Sequence, residues 1–125
     1  MEDIILLSCF LIIVHVLCPV IIGLLGSKEL TIGYLFSSRD KDIKAPKVYD
    51  RSKRSFLNLF ETFPIFVMII LMSMIKNIDN YELGLYWIVL RFVYIPIYIA
   101  GLDYIRTIVW MFSFGILVLM GLKFL

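Results

Sequence analysis

Cysteine and histidine are scarce in this sequence, and neither occurs in a spacing that would bind a metal ion. Cys9 and Cys18 are nine residues apart in an apolar stretch, so at 100° per residue they point to opposite faces of one helix. They also lack the spacing of a zinc or dithiol site. The single histidine, His15, has no acidic or cysteine partner at helical spacing, so we expect a buried, hydrogen-bonded residue. The sequence therefore predicts no metal centre.

No part of the chain is long or polar enough to form a separate soluble domain. Of the 125 residues, 62% are hydrophobic and only 18% are charged, and the mean hydropathy is +0.97. A soluble domain has about 45–50% apolar residues. The composition therefore predicts an integral membrane protein with the lipid bilayer as its surroundings.

The few charges are clustered, and the cluster indicates the topology. Eight of the 12 Lys and Arg residues lie in residues 26–54, where four acidic residues leave a net charge of +4. Lys and Arg remain on the cytoplasmic side of a membrane, so we expect both termini on the opposite side. No zinc spacing or aromatic-interleaved patch accompanies the basic run, which argues against a nucleic-acid partner.

Four apolar runs are long enough to cross a bilayer, which requires about 20 helical residues. The first holds 22 residues without a formal charge, and its acidic start is unlike the basic n-region of a cleaved signal peptide. The second must include Glu61, because residues 62–75 alone are only 14 residues. We predict an all-α, four-transmembrane-helix bundle with spans at residues 4–25, 54–75, 83–100 and 106–125 and a cytoplasmic loop at residues 26–53.

Two charged residues fall inside these spans, and the second span carries a polar stripe. A charge at the centre of a span costs about 2.5–3.5 kcal/mol, so Glu61 and Arg91 need partners, and we predict that they pair with each other. Arg51, Arg54, Asn58 and Glu61 follow one another at i, i+3, i+7 and i+10 and so share one helix face. We therefore expect this face of the second span to pack against other polar groups.

The third span carries a matching stripe, in which Arg91, Tyr94 and Tyr98 are spaced at i, i+3 and i+7. Arg106 lies at the start of the fourth span. Two interpretations are open at this point. The charges either hold the helices in register, or they form a donor-rich pocket for a ligand that bears carboxylates.

Three segments resemble one family of membrane proteins. Residues 54–66, RSFLNLFETFPIF, resemble the R-x-x-x-N-x-x-E-x-x-P-x-F signature of the MAPEG family, the membrane-associated proteins of eicosanoid and glutathione metabolism. Residues 91–98, RFVYIPIY, are similar to the R-x-x-Y-x-x-x-Y pattern of its third helix, and residues 104–110, YIRTIVW, to the start of its fourth. The long basic loop resembles that of the bacterial-type members, which implies a bacterial inner membrane.

The resemblance implies a homotrimer with a glutathione site between neighbouring protomers, open to the cytoplasmic face. Glutathione would be a co-substrate, and an apolar electrophile or lipid hydroperoxide would reach it from the bilayer. In this family pattern Arg106 activates the thiol. The residues that would bind glutathione are Arg54, Asn58, Glu61, Arg91, Tyr94 and Tyr98.

Two other functions are compatible with four spans. One is a non-catalytic lipid-binding or scaffold protein of the same fold. The other is a small multidrug-type transporter, although such a transporter has its membrane-embedded carboxylate in the first helix, where this chain has none.

Overall fold

The computed structural model describes all residues, 1–125, and contains five helices and no strand. The helices are α1 (Glu2–Gly26), α2 (Ile32–Leu35), α3 (Lys47–Lys76), α4 (Tyr81–Ala100) and α5 (Asp103–Leu122). All except α2 are long and apolar enough to cross a membrane. The predicted all-helical bundle of four spans is confirmed.

Helix α3 extends well beyond the apolar part of its sequence. It begins at Lys47, directly after Pro46, whose φ of −65° and lack of an N–H suit a helix start. The last part of the predicted loop is therefore helical. Hydropathy could not predict this helical extension, because a helix can continue beyond the hydrocarbon core with charged residues in its first turns. The polar stripe from Arg51 to Glu61 consequently lies on one continuous helix.

The connection between α4 and α5 is tight, and Arg51 fixes it to α3. Helix α4 ends at Gly101, whose φ of +77° is the left-handed conformation that favours glycine. Arg51 Nη1 donates to the Ile99 carbonyl oxygen at 3.2 Å, a favourable place for a cation because the end of a helix is negative. A Cβ on Gly101 would lie 2.6 Å from Arg51 Cζ. Arg51, near the N-terminal end of α3, thereby positions the start of α5.

The core is apolar and lies among all four long helices. Phe66 and Trp87 stack with ring centroids 4.0 Å apart, and Ile4 packs against the bare backbone of Gly84. Such close packing matters in a membrane, where burial from water no longer drives helix association. The fully buried core residues are Ile4, Leu11, Leu59, Phe66, Ile70, Trp87, Ile88, Leu117 and Met120.

A buried amide joins three helices at the end of the bundle that carries the termini. Asn80 Nδ2 donates to Ser73 Oγ at 2.8 Å and to the Met120 carbonyl oxygen at 3.3 Å. Elsewhere in the interior, His15 is buried with Nδ1 3.0 Å from the Leu11 carbonyl oxygen, as predicted. Asn80 and His15 are thus each bonded through one side-chain nitrogen, whereas Asn80 Oδ1 and His15 Nε2 have no hydrogen-bond partner.

Candidate functional site

Arg91 is the centre of a polar cluster inside the bundle. It is 1% exposed, and its guanidinium lies between α4 and α3. Nη1 donates to Asn58 Oδ1 at 3.0 Å, and Nη2 donates to Thr62 Oγ1 at 2.6 Å. The Trp87 ring lies 5.3 Å from the guanidinium carbon. Neutral acceptors and a ring face therefore offset the cost of burying this charge.

The predicted ion pair between Glu61 and Arg91 does not form. Asn58 lies between them, with its Oδ1 accepting from Arg91 and its Nδ2 donating to Glu61 Oε2 at 3.3 Å. An amide can bridge in this way because it carries both a donor and an acceptor. Glu61 is exposed on α3. Its carboxylate consequently remains accessible to a ligand.

Two tyrosines continue the cluster from Arg91 to α5. The guanidinium carbon of Arg91 is 5.6 Å from the Tyr94 ring centroid, and the Tyr94 and Tyr98 rings meet edge to face at 5.4 Å. The guanidinium carbon of Arg106 lies 4.7 Å from the Tyr98 centroid. A continuous line of polar and aromatic side chains thus runs from Glu61 to Arg106. We call this line the polar relay, which comprises Asn58, Glu61, Arg91, Tyr94, Tyr98 and Arg106.

Arg106 stands at the α5 end of the polar relay. Its side chain is 33% exposed and forms an ion pair of 3.4 Å with Asp103, the only ion pair in the structure. It lies in the first turn of α5, whose N-cap residue Leu102 supplies no capping side chain. The free N–H groups of a helix start favour an anion, as does the guanidinium. This end of the relay can therefore stabilise a negatively charged group.

Arg54 is not part of the polar relay. It is exposed one turn before Asn58 and lines a separate cleft of about 430 Å³ with Lys47, Lys53 and Leu57. Arg54 and Asn58 lie on the same face of α3 because they are four residues apart. The structure thus links six of the predicted site residues by direct contacts and leaves Arg54 beside them.

Sequence reasoning missed the roles of Thr62 and Arg51. Thr62 is a buried acceptor for Arg91, and Arg51 caps α4. A signal for Thr62 was present, because it is a hydroxyl residue four positions after Asn58 in an otherwise apolar stretch. Arg51 had been placed on the polar stripe, but its acceptor is 48 residues away and no spacing could reveal it.

The outward face of α5 bears an open apolar groove. Its volume is about 690 Å³, and Phe112, Gly115 and Leu119 lie along it. A Cβ on Gly115 would meet nothing within 4 Å, so the groove is open at this residue. The groove lies on the same helix as Arg106 and suits the hydrocarbon part of an amphiphile.

The motifs on α3, α4 and α5 agree with a comparison that covers almost the entire chain. A model of the MAPEG family matches residues 4–125. No curated protein and no solved structure gave a significant match. The match spans all four long helices and every residue of the polar relay. The chain therefore belongs to the MAPEG family.

Proposed function

We propose that this protein is a glutathione-dependent membrane transferase or peroxidase that acts on apolar electrophiles or lipid hydroperoxides. The observation that carries the proposal is the polar relay, which ends at a solvent-accessible arginine on a helix start. In this proposal Arg106 is the catalytic residue. The glutathione-binding residues are Arg54, Asn58, Glu61, Arg91, Tyr94 and Tyr98.

The role of Arg106 follows from the chemistry of thiols. A free thiol is only a few per cent ionised at neutral pH, and the thiolate is the nucleophile. The positive charge of Arg106 and the free N–H groups at the start of α5 both favour the anion. Glutathione bound with its sulfur near Arg106 would therefore contain more thiolate and react faster.

Recognition of the tripeptide is divided between exposed and buried groups. Glu61 is exposed and offers an acceptor for the glutathione amine, and Arg54 is exposed and offers a forked donor for a carboxylate. Arg91 is buried and acts through Asn58.

A site whose charged groups lie on the outer surface of one protomer is open on one side. We propose that a neighbouring copy covers it in a homotrimer, for which native mass spectrometry should show three chains.

Both reactions use the same thiolate. In the transferase reaction, sulfur attacks an electrophilic carbon, a carbon–sulfur bond forms, and the leaving group departs with its electron pair. In the peroxidase reaction, the thiolate sulfur attacks the terminal peroxide oxygen and a sulfur–oxygen bond forms as the oxygen–oxygen bond breaks. The alkoxide departs with its electron pair and takes a proton from water to become the alcohol, while glutathione becomes the sulfenic acid. A second glutathione converts this acid to the disulfide and water. The α5 groove lets either substrate approach from the bilayer.

The test is a titration of the detergent-purified protein with glutathione while the ultraviolet absorbance of the thiolate is recorded. We expect thiolate to form in the wild type, to persist partly in Arg106→Lys and to be lost in Arg106→Ala. Lys41→Ala removes an exposed charge of the loop and is the matched control. Wild-type protein that binds glutathione without forming thiolate would contradict the catalytic role of Arg106.

A second candidate is a non-catalytic lipid-binding or scaffold protein of the same fold. It is favoured by Arg91, whose two terminal nitrogens are already bonded to Asn58 and Thr62 and so hold the helices together. The two functions differ in their dependence on Arg106. Unchanged cellular function in a folded Arg106→Ala variant would favour the scaffold, and loss of function would favour the enzyme.

A further inference from the structure

A third pocket lies on the side of α3 opposite the polar stripe, between α1, the loop and the first turns of α3. Its volume is about 190 Å³, and apolar side chains such as Val16, Val20 and Leu35 form most of its lining. Gly23 allows Leu30 and Tyr49 to pack closely, since a Cβ there would lie 3.0 Å from each. Leu30 is 2% exposed, so the loop wall of this pocket is firmly packed. We call it the loop pocket.

Two cations lie at the loop pocket, and neither has an acidic partner. Arg39 and Lys53 both line it, whereas the only ion pair in the structure is between Arg106 and Asp103. Lys53 Nζ lies 5.4 Å from the Tyr49 ring centroid. The pocket thus combines an apolar interior with two unneutralised positive charges.

The backbone holds Arg39 in place. Its φ of +60° is unusual for a residue with a side chain. Tyr34 Oη supports this turn, lying 2.9 Å from the Lys41 carbonyl oxygen and 3.3 Å from the Arg39 carbonyl oxygen. The guanidinium donates from Nε and Nη2 to the Leu35 carbonyl oxygen at 3.3 and 3.1 Å. Its Nη1 remains available to a ligand.

The surroundings of the loop pocket indicate a membrane surface. Ile32 and Phe36, on either side of the pocket residue Leu35, are 64% and 89% exposed. Apolar side chains in a basic loop are suited to the boundary between headgroups and acyl chains. Such surroundings suit a pocket at the depth of the lipid phosphates.

We propose that the loop pocket binds an anionic phospholipid, with the phosphate between Arg39 and Lys53 and the first part of one acyl chain against Val16 and Val20. A pocket for a complete small ligand has a volume of about 300–1,000 Å³. The loop pocket, at about 190 Å³, holds only part of a molecule, and the remainder of the lipid stays in the bilayer. This proposal uses no residue that the proposed function names, although Lys53 also lines the cleft beside Arg54.

Native mass spectrometry of the delipidated, detergent-purified protein tests it, with phosphatidylglycerol and phosphatidylcholine as probes. We expect phosphatidylglycerol to bind more tightly, and the Arg39→Gln/Lys53→Gln variant to lose about 30-fold in affinity, because each basic residue contributes about fivefold to binding an anionic lipid. Lys28→Gln/Lys41→Gln removes the same amount of charge at loop positions outside the pocket and should retain nearly all the affinity.

A second variant separates the shape of the pocket from its charge. Val20→Phe keeps both cations and fills the space for the acyl chain, so it should also weaken phosphatidylglycerol binding. Circular dichroism melts confirm that each variant is folded. Equal binding of the two lipids, equal losses in the two double variants, or displacement of the lipid by inorganic phosphate alone would overturn the proposal.

Discussion

At the scale of single residues, the central feature is a buried arginine that is held without a carboxylate. An unpaired charge inside a membrane is costly, and a direct pair with Glu61 would have offset that cost. The structure offsets it with Asn58, Thr62 and the Trp87 ring instead. The result is that Glu61 stays exposed and free for a ligand.

We expect Thr62→Val to destabilise the protein by about 1–3 kcal/mol, because the isosteric side chain leaves Arg91 Nη2 without its acceptor in a buried place. Chemical denaturation in detergent micelles measures this loss. Thr107→Val is the matched control, since the Thr107 hydroxyl is exposed and bonds only to its own helix at Asp103. Equal effects of the two substitutions would contradict the role given to Thr62.

Asp103 competes with any anion for Arg106, with which it is paired at 3.4 Å. We expect Asp103→Asn to make bound glutathione ionise at lower pH, because removing a negative charge favours a nearby thiolate. The gain should be modest, up to about fivefold in the thiolate fraction, since exposed pairs contribute about 0.2–1 kcal/mol. The pH dependence of thiolate absorbance measures it.

The control for Asp103→Asn is Asp42→Asn, a charge removal in the exposed loop. A shift of ionisation to higher pH in Asp103→Asn, or equal shifts in both variants, would show that the thiol does not lie near Arg106.

At the scale of helices, the arrangement of the site depends on where α3 begins and how α4 turns into α5. Arg51 is on the helical extension of α3 beyond the apolar segment, and it bonds the end of α4. This contact sets the position of the first turn of α5, and therefore that of Arg106 relative to Tyr98. The geometry of the polar relay is thus maintained by a residue outside it.

Gly101→Ala should destabilise the protein by at least about 1–2 kcal/mol, the cost of a left-handed conformation for a residue with a Cβ. The new Cβ would also collide with Arg51 and displace the start of α5. Gly115→Ala is the control, because a Cβ there meets nothing within 4 Å and alanine favours a helix. The melting temperature should therefore fall in Gly101→Ala and rise in Gly115→Ala. An unchanged melting temperature in Gly101→Ala would contradict the contact with Arg51.

At the scale of the whole molecule, the protein is organised with its apolar side chains both inside and outside. Only 24 of 125 residues are buried, and large apolar side chains cover the outer faces of α1 and α5. Such a large apolar surface is unfavourable in water and is suited to the hydrocarbon core of a bilayer. The membrane therefore completes the surroundings that the fold requires.

Phe112 tests this outer surface, because it is 66% exposed in the middle of α5. Phe112→Arg should lower membrane integration, since a charge near the centre of a span costs about 2.5–3.5 kcal/mol. Phe112→Leu keeps the surface apolar and should integrate as the wild type does. Resistance to carbonate extraction measures integration, and a fully integrated Phe112→Arg would show that this residue faces a polar environment.

The sequence by itself determined that the chain has four spans, because apolar runs long enough to cross a bilayer are typical of transmembrane helices. Helical spacing also placed Asn58 and Glu61 on one face and Arg91, Tyr94 and Tyr98 on another, since those intervals depend only on the geometry of the α-helix. Family resemblance selected the same residues as a site.

Only the tertiary structure decided which of these groups meet. The packing of α3 against α4 places Asn58 between Glu61 and Arg91, so the predicted ion pair is replaced by a bridge. The acceptor of Arg51 comes from a helix remote in sequence, and the loop pocket combines residues from three separate segments. Contacts of this kind depend on packing between helices, and periodicity within one helix carries no information about them.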